Sequence, residues 1–101
     1  MNKLHSQSVS RFFKALDTLK TEEEYYAFFE DICTVVELRD IAQRLETAIM
    51  LEEGANYQEI ANTIGISSAT IGRVSKCLNY GNGGYRMVIE RLREQEENGE
   101  S

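Results

Sequence analysis

Tyr57–Leu78, YQEIANTIGISSATIGRVSKCL, reads as a helix, a tight turn and a second helix. Ile60 and Ile64 are four residues apart and share a face of the first helix, while Ile71, Val74 and Leu78 form the matching stripe on the second. Helices joined by so short a turn cross steeply, and the small side chain of Ala61 suits the point of closest approach. Gly65 falls where the chain must leave the first helix, in a left-handed conformation that costs glycine little. Ile66 plugs the corner, and the Ser67 hydroxyl can cap the second helix by accepting a backbone N–H two or three residues on. The plainer reading is two short helices of a bundle. Agreement of the apolar stripes, the alanine, the glycine and the cap favours a helix-turn-helix, because such joint agreement is rarer than any one feature.

On the second helix the residues left facing outward are Ser68, Ala69, Gly72, Arg73 and Lys76, none of them acidic. Small residues near the N-terminus of a recognition helix let it sit deep in a major groove, where a methyl can touch thymine and a serine can bond a base edge or a phosphate. Arg73 and Lys76 add positive charge to that face. The pattern therefore points to duplex DNA.

EIANTI followed by GISSATIGRVSKCL resembles the helix-turn-helix of the Trp repressor superfamily, most closely its TrpR-related YerC/YecD group of bacterial proteins. The resemblance runs from about Phe12 to Leu92 and is most specific from Glu59 to Arg73. It implies an all-α, intertwined TrpR-like homodimer that binds a palindromic operator as a transcriptional regulator, expected to be a repressor. Positions matching the family's reading surface are Gln58 and Ala61 in the first helix and Ser68, Ala69, Thr70, Gly72 and Arg73 in the second. Lys76 joins them from helical geometry alone. Base specificity usually needs Arg, Lys, Asn or Gln, so Gln58 stands out as a bidentate adenine contact, with phosphates, water and DNA shape carrying much of the rest.

In tryptophan-responsive members of the superfamily two arginines bracket the corepressor. Arg44 and Arg73 match them, the first after a one-residue gap near Gly54. Val74, however, stands where those members have glycine, and Cys77 where they have serine. The valine takes space an indole needs, and a thiol is a poorer hydrogen-bond partner than a hydroxyl. Tryptophan is accordingly not expected as corepressor, and Val74 is expected to fill the pocket and steady the reading head; another small effector stays open. Arg73 keeps two readings, a DNA contact by helical geometry and an effector contact by resemblance.

The rest of the chain fits this frame. Its 101 residues suit one domain, expected over 1–93 with the helix-turn-helix at 57–78, and a domain of this size buries only somewhat more than about 60% of its unfolded surface. With 42% hydrophobic residues and no proline, an all-α fold of about six helices is the natural class. Val9, Phe12, Phe13 and Leu16 give helical spacing within 1–18. Thr21 with Glu24 forms a capping box ahead of an aromatic face of Tyr25, Phe28, Phe29 and Ile32. In 34–53 a long helix buries Leu38, Ile41, Ala42, Leu45, Ala48 and Ile49, with Gly54 as C-cap and Asp40–Arg44 as an ion pair across one turn. A second stripe of Val35, Val36, Met50 and Leu51 offers more apolar face than a monomer of this length hides easily. Asn79–Gly84, NYGNGG, reads as a loop; Tyr85–Arg93 as a last helix with Tyr85, Val88, Ile89 and Leu92 inward; and 94–101 as a disordered acidic tail.

Charge is segregated. The net −6 conceals −5 over residues 1–56, +3 over 57–93 and −4 over 94–101, so the positive surplus sits in the reading head. Cys33 and Cys77 lack metal-ligand spacing and are read as free thiols, His5 as exposed. Without a nucleophile beside a base, no enzyme, cofactor or metal is expected. No apolar run spans a bilayer and no signal peptide is seen, so the expectation is a cytoplasmic protein with no membrane partner. A protein-interaction module on the same scaffold is the alternative, using the acidic, aromatic body around Glu22–Tyr26.

Overall fold

A computed structural model describes residues 5–99 of the chain. Within them lie six α-helices and no strand: α1 (Gln7–Leu16), α2 (Glu22–Ile32), α3 (Val35–Glu52), α4 (Tyr57–Ile64), α5 (Ser68–Tyr80) and α6 (Gly84–Glu97). The parts of the first helical pattern at 1–4 and of the acidic tail at 100–101 fall outside the described residues. By compactness the described residues form two units, one up to Leu38 and one from Arg39, with the boundary inside α3.

In the first unit, polar side chains set where each helix begins. The Ser6 hydroxyl accepts from the Val9 N–H at 3.2 Å to start α1. Thr21 accepts from the Glu24 N–H at 3.1 Å, while the Glu24 carboxylate reaches back to the Lys20 N–H at 2.7 Å. A reciprocal box that escaped the sequence reading starts α3. Thr34 accepts from the Glu37 N–H at 3.1 Å and the Glu37 carboxylate accepts from the Thr34 N–H at 2.8 Å. Those bonds hold the Glu37 carboxyl below its ordinary pKa, the backbone bond foremost. Phe12, Phe28 and Phe29 gather with ring centroids 5.6–6.5 Å apart. Even so, no side chain from His5 to Leu38 is fully buried.

The second unit holds the core. Ala48, Val74, Leu78 and Ile89 are buried together, flanked by Leu45, Ile49, Leu51 and Tyr85. Ile60 and Ile71 are wholly inaccessible. Thr47 is the buried polar side chain, and its hydroxyl donates to the Gln43 carbonyl at 2.7 Å, so burial leaves no unmade bond. Gly54 ends α3 with a positive φ, and the Gly54 and Ala55 N–H groups bond back to the Leu51 and Met50 carbonyls.

Three boundaries and two faces differ from expectation. The loop expected over Asn79–Gly84 shrinks to Gly81–Gly83, because Asn79 and Tyr80 extend α5 and Gly84 opens α6. A Cβ at Gly81 would run into the Cys77 carbonyl, so the chain can turn there only on glycine. The tail expected to be disordered from residue 94 is instead helical to Glu97, since Glu and Gln are strong helix formers and nothing breaks the ladder before Asn98 and Gly99. Val88, Ile41 and Ala42, expected inward, are exposed; Ile89 carries the inward face of α6 and Ala48 that of α3. Lastly, Glu52 pairs with Arg86 at 3.3 Å, whereas Asp40 and Arg44 form no ion pair with each other.

Candidate nucleic-acid interface

The sequence dictates α4 and α5 residue by residue. Asn56 and Glu59 close a full capping box, with bonds of 2.9 and 3.1 Å, and fix where α4 starts. Gly65 ends it at φ +84°, donating to the Ala61 carbonyl at 2.9 Å. Ile66 sits half-buried at the corner, and the Ser67 hydroxyl accepts from the Thr70 N–H at 3.2 Å to begin α5. Ile60 from one helix and Ile71, Val74 and Leu78 from the other go inward, as their spacing requires.

With that stripe turned inward, helical geometry puts Ala69, Arg73 and Lys76 on the opposite side of α5, and all three are exposed. Ser68 is exposed and Gly72 half-exposed on one flank. On α4, Gln58 is exposed in the first turn, while Ala61 is partly covered near the helix crossing. Thr70 is half-buried. Its hydroxyl lies 3.1 Å from that of Ser67 and accepts from the Arg73 guanidinium at 3.2 Å. Neither Arg73 nor Lys76 has a carboxylate partner among the described residues, which leaves their charge available to an anion. Tyr80, 85% exposed, continues this outer line at the end of α5. Asn62 is exposed beside Gln58 on α4. Its position opposite Ile60 and Ile64 was the available signal for including it.

Beside this face opens a cleft of about 640 Å³ between α3 and the α4–α5 turn. Arg44, Arg73, Val74 and Cys77 all line it, together with Asp40, Gln43, Ser67 and Tyr85. Arg73 thus borders both the outer face of α5 and the cleft, which is why its two readings arise. The Val74 side chain is 3% exposed and lines this cleft between Arg73 and Cys77. The Cys77 thiol is free and exposed. Burial pushes the Tyr85 phenol above its ordinary pKa, nearby Cys77 adds to this and Arg44 opposes it, so the phenol is a neutral hydrogen-bonding group at pH 7. Tyr85 lay outside the set read from sequence because it joins the cleft from α6, beyond the glycine turn.

The sequence pattern of the Trp repressor protein family matches residues 7–93, nearly the whole described chain. The chain belongs to the Trp repressor family. Within that range of similarity, the uncharacterized protein YerC of Bacillus subtilis (strain 168) is 46% identical over 96 residues, covering 95% of this chain and 92% of YerC. A crystal structure of a TrpR-like protein from Eubacterium eligens superposes with a TM-score of 0.87 at 50% identity, over 91% of this chain and 95% of that one. A candidate Trp repressor from Staphylococcus aureus superposes with a TM-score of 0.86 at 41% identity, over 90% and 91% of the two chains. The six-helix, TrpR-like fold therefore holds at levels of identity where both architecture and helix register are shared.

Proposed function

We propose that this member of the Trp repressor family is a sequence-specific DNA-binding transcriptional regulator of the repressor type, acting in the cytoplasm as a homodimer on a palindromic operator. The observation that carries the reading is the capped α4–Gly65–α5 turn, which presents an exposed, acid-free helix face with Arg73 and Lys76 uncompensated. Gln58, Ala61, Ser68, Ala69, Thr70, Gly72, Arg73 and Lys76 are the proposed DNA-contacting set. The exposed Val35, Val36, Ile41, Met87 and Val88, and the lack of any buried side chain from His5 to Leu38, support the dimer, since a second copy would cover them. Two heads related by a two-fold axis would read half-sites about 34–36 Å apart.

Operator binding is proposed to need no tryptophan, on the ground that a valine, Val74, lines the cleft with Arg44, Arg73 and Cys77 and takes volume an indole needs. No helix among the described residues is long and apolar enough to cross a membrane. The test is selection of duplexes from a random or genomic pool by the purified protein at about 0.15 M salt, with no added ligand. The expected outcome is enrichment of an imperfect palindrome with half-sites one helical turn apart. Absence of enrichment, both alone and with pooled cell metabolites, would defeat the reading in favour of a scaffold that binds protein.

A further inference from the structure

The chain enters and leaves the α4–α5 head through two turns, Glu53–Asn56 after α3 and Gly81–Gly83 before α6, while Val74 and Leu78 pack the head on Ala48 and Ile89. Both turns contain a glycine with positive φ, Gly54 in the first, where the Gly54 and Ala55 N–H groups bond back to α3, and Gly83 in the second, where no side chain caps α6. Arg86, in the first turn of α6, reaches across both. Its guanidinium donates to the Leu78 carbonyl at 3.2 Å and to the Asn79 Oδ1 at 3.0 Å, and it pairs with the Glu52 carboxylate at 3.3 Å. Glu52 is the last residue before the first turn, and Asn79 lies just before the second. One side chain therefore ties together the two ends of the head. It also satisfies a carbonyl in the last turn of α5, where the helix has no partner of its own to offer. Lys in its place would carry the charge without the planar fork that serves several acceptors at once.

We propose that Arg86 is a positioning residue that sets the angle of the α4–α5 head against α3 and α6 without help from a ligand. This deepens, and in its DNA consequences rests on, the reading of α4–α5 as the DNA-binding head. In the clamped state the two heads of a dimer hold a fixed separation; released, each keeps its packing on Ala48 and Ile89 but varies in angle and must be ordered again on every binding event.

The test compares full-length wild type, Arg86→Met and Glu52→Ala in two measurements, backbone amide hydrogen exchange and affinity for the selected duplex and for duplexes with half-site spacing altered by one or two base pairs. The clamp predicts faster exchange in α4 and α5 for both variants with the core of α3 unchanged, about five- to tenfold weaker operator binding, and a flatter dependence on spacing. The sign for Glu52→Ala is decisive. Removing an acid near DNA strengthens binding on electrostatics alone, whereas releasing the clamp weakens it. Tighter binding by Glu52→Ala with a lower salt slope for Arg86→Met would mean that Arg86 is a phosphate contact, and would overturn the proposal. Unchanged exchange in both variants would also overturn it. Should Arg86→Met fail to fold, Glu52→Ala alone carries the comparison, because Glu52 ends α3 and alanine is tolerated there. If wild type selects no duplex, the DNA reading falls by itself, and the exchange arm still decides whether the clamp exists.

Discussion

Lys76 and Gln58 separate the two things a DNA-binding face must do. Lys76 is exposed on the outer line of α5 with no carboxylate partner among the described residues, a position suited to a phosphate. Lys76→Ala is expected to weaken binding across all duplexes and to lower the salt slope by about one, measured by titration at several salt concentrations. Gln58 presents an amide in the first turn of α4 and can satisfy the paired donor and acceptor of adenine. Gln58→Ala should relax preference at one base position, at about 1–3 kcal/mol, while leaving the salt slope intact. If neither substitution changes DNA binding, the assigned face is wrong. In the cleft, Val74 decides between ligands by volume. Wild type is expected to give no saturable heat with L-tryptophan in calorimetric titration, and binding at the cleft would show that the valine leaves room for an indole. Val74→Gly should cost about 2–4 kcal/mol in chemical denaturation, from lost burial and from glycine within a helix.

At the scale of the element, the helix ends carry the sharpest expectations. Gly65 sits at φ +84° with open space where a Cβ would go, so Gly65→Ala strains the backbone without a clash, and a loss of about 1–2 kcal/mol is expected on thermal or urea unfolding. The Thr34–Glu37 box gives a pH prediction. Because the folded carboxyl sits below its ordinary pKa, its contribution is present at neutral pH and is lost as pH falls through the folded value. Protection of the first-turn amides of α3, relative to their intrinsic exchange at each pH, should therefore fall below the ordinary glutamate range, and Glu37→Gln should abolish that dependence. These local devices explain what the sequence made legible. Gly65 and the caps at Thr21 and Ser67 act on neighbours three or four residues away, so residue type and spacing identify them. Arg86 escaped because its partners Glu52, Leu78 and Asn79 come from three different stretches, and Tyr85 because its place in the cleft depends on how tightly Gly81–Gly83 turns. Helical residues beyond Arg93 were missed because a polar, charged run says whether a segment can be buried, not whether it can coil.

For the whole molecule, Val35 puts the dimer to a clean trial. It is 77% exposed in the single chain, where an aspartate near a helix N-terminus would be expected to change stability by less than about 0.5 kcal/mol. Covered by a second copy it would bury an unpaired charge, so Val35→Asp should abolish the dimer in sedimentation and remove any dependence of the melting temperature on protein concentration. A fully stable, monomeric wild type would refute the dimeric reading. The uneven burial between the two units has a further consequence. Chains emerge from the ribosome N-terminus first, so the stretch from His5 to Leu38, which has no fully buried side chain, is made before the residues that follow it. The residues that close the core, from Ala48 to Ile89, are made later. Translation thus completes the helices without a buried side chain before the core exists, and during synthesis Phe13, Tyr25 and Tyr26, exposed even in the finished chain, have no core to shelter against.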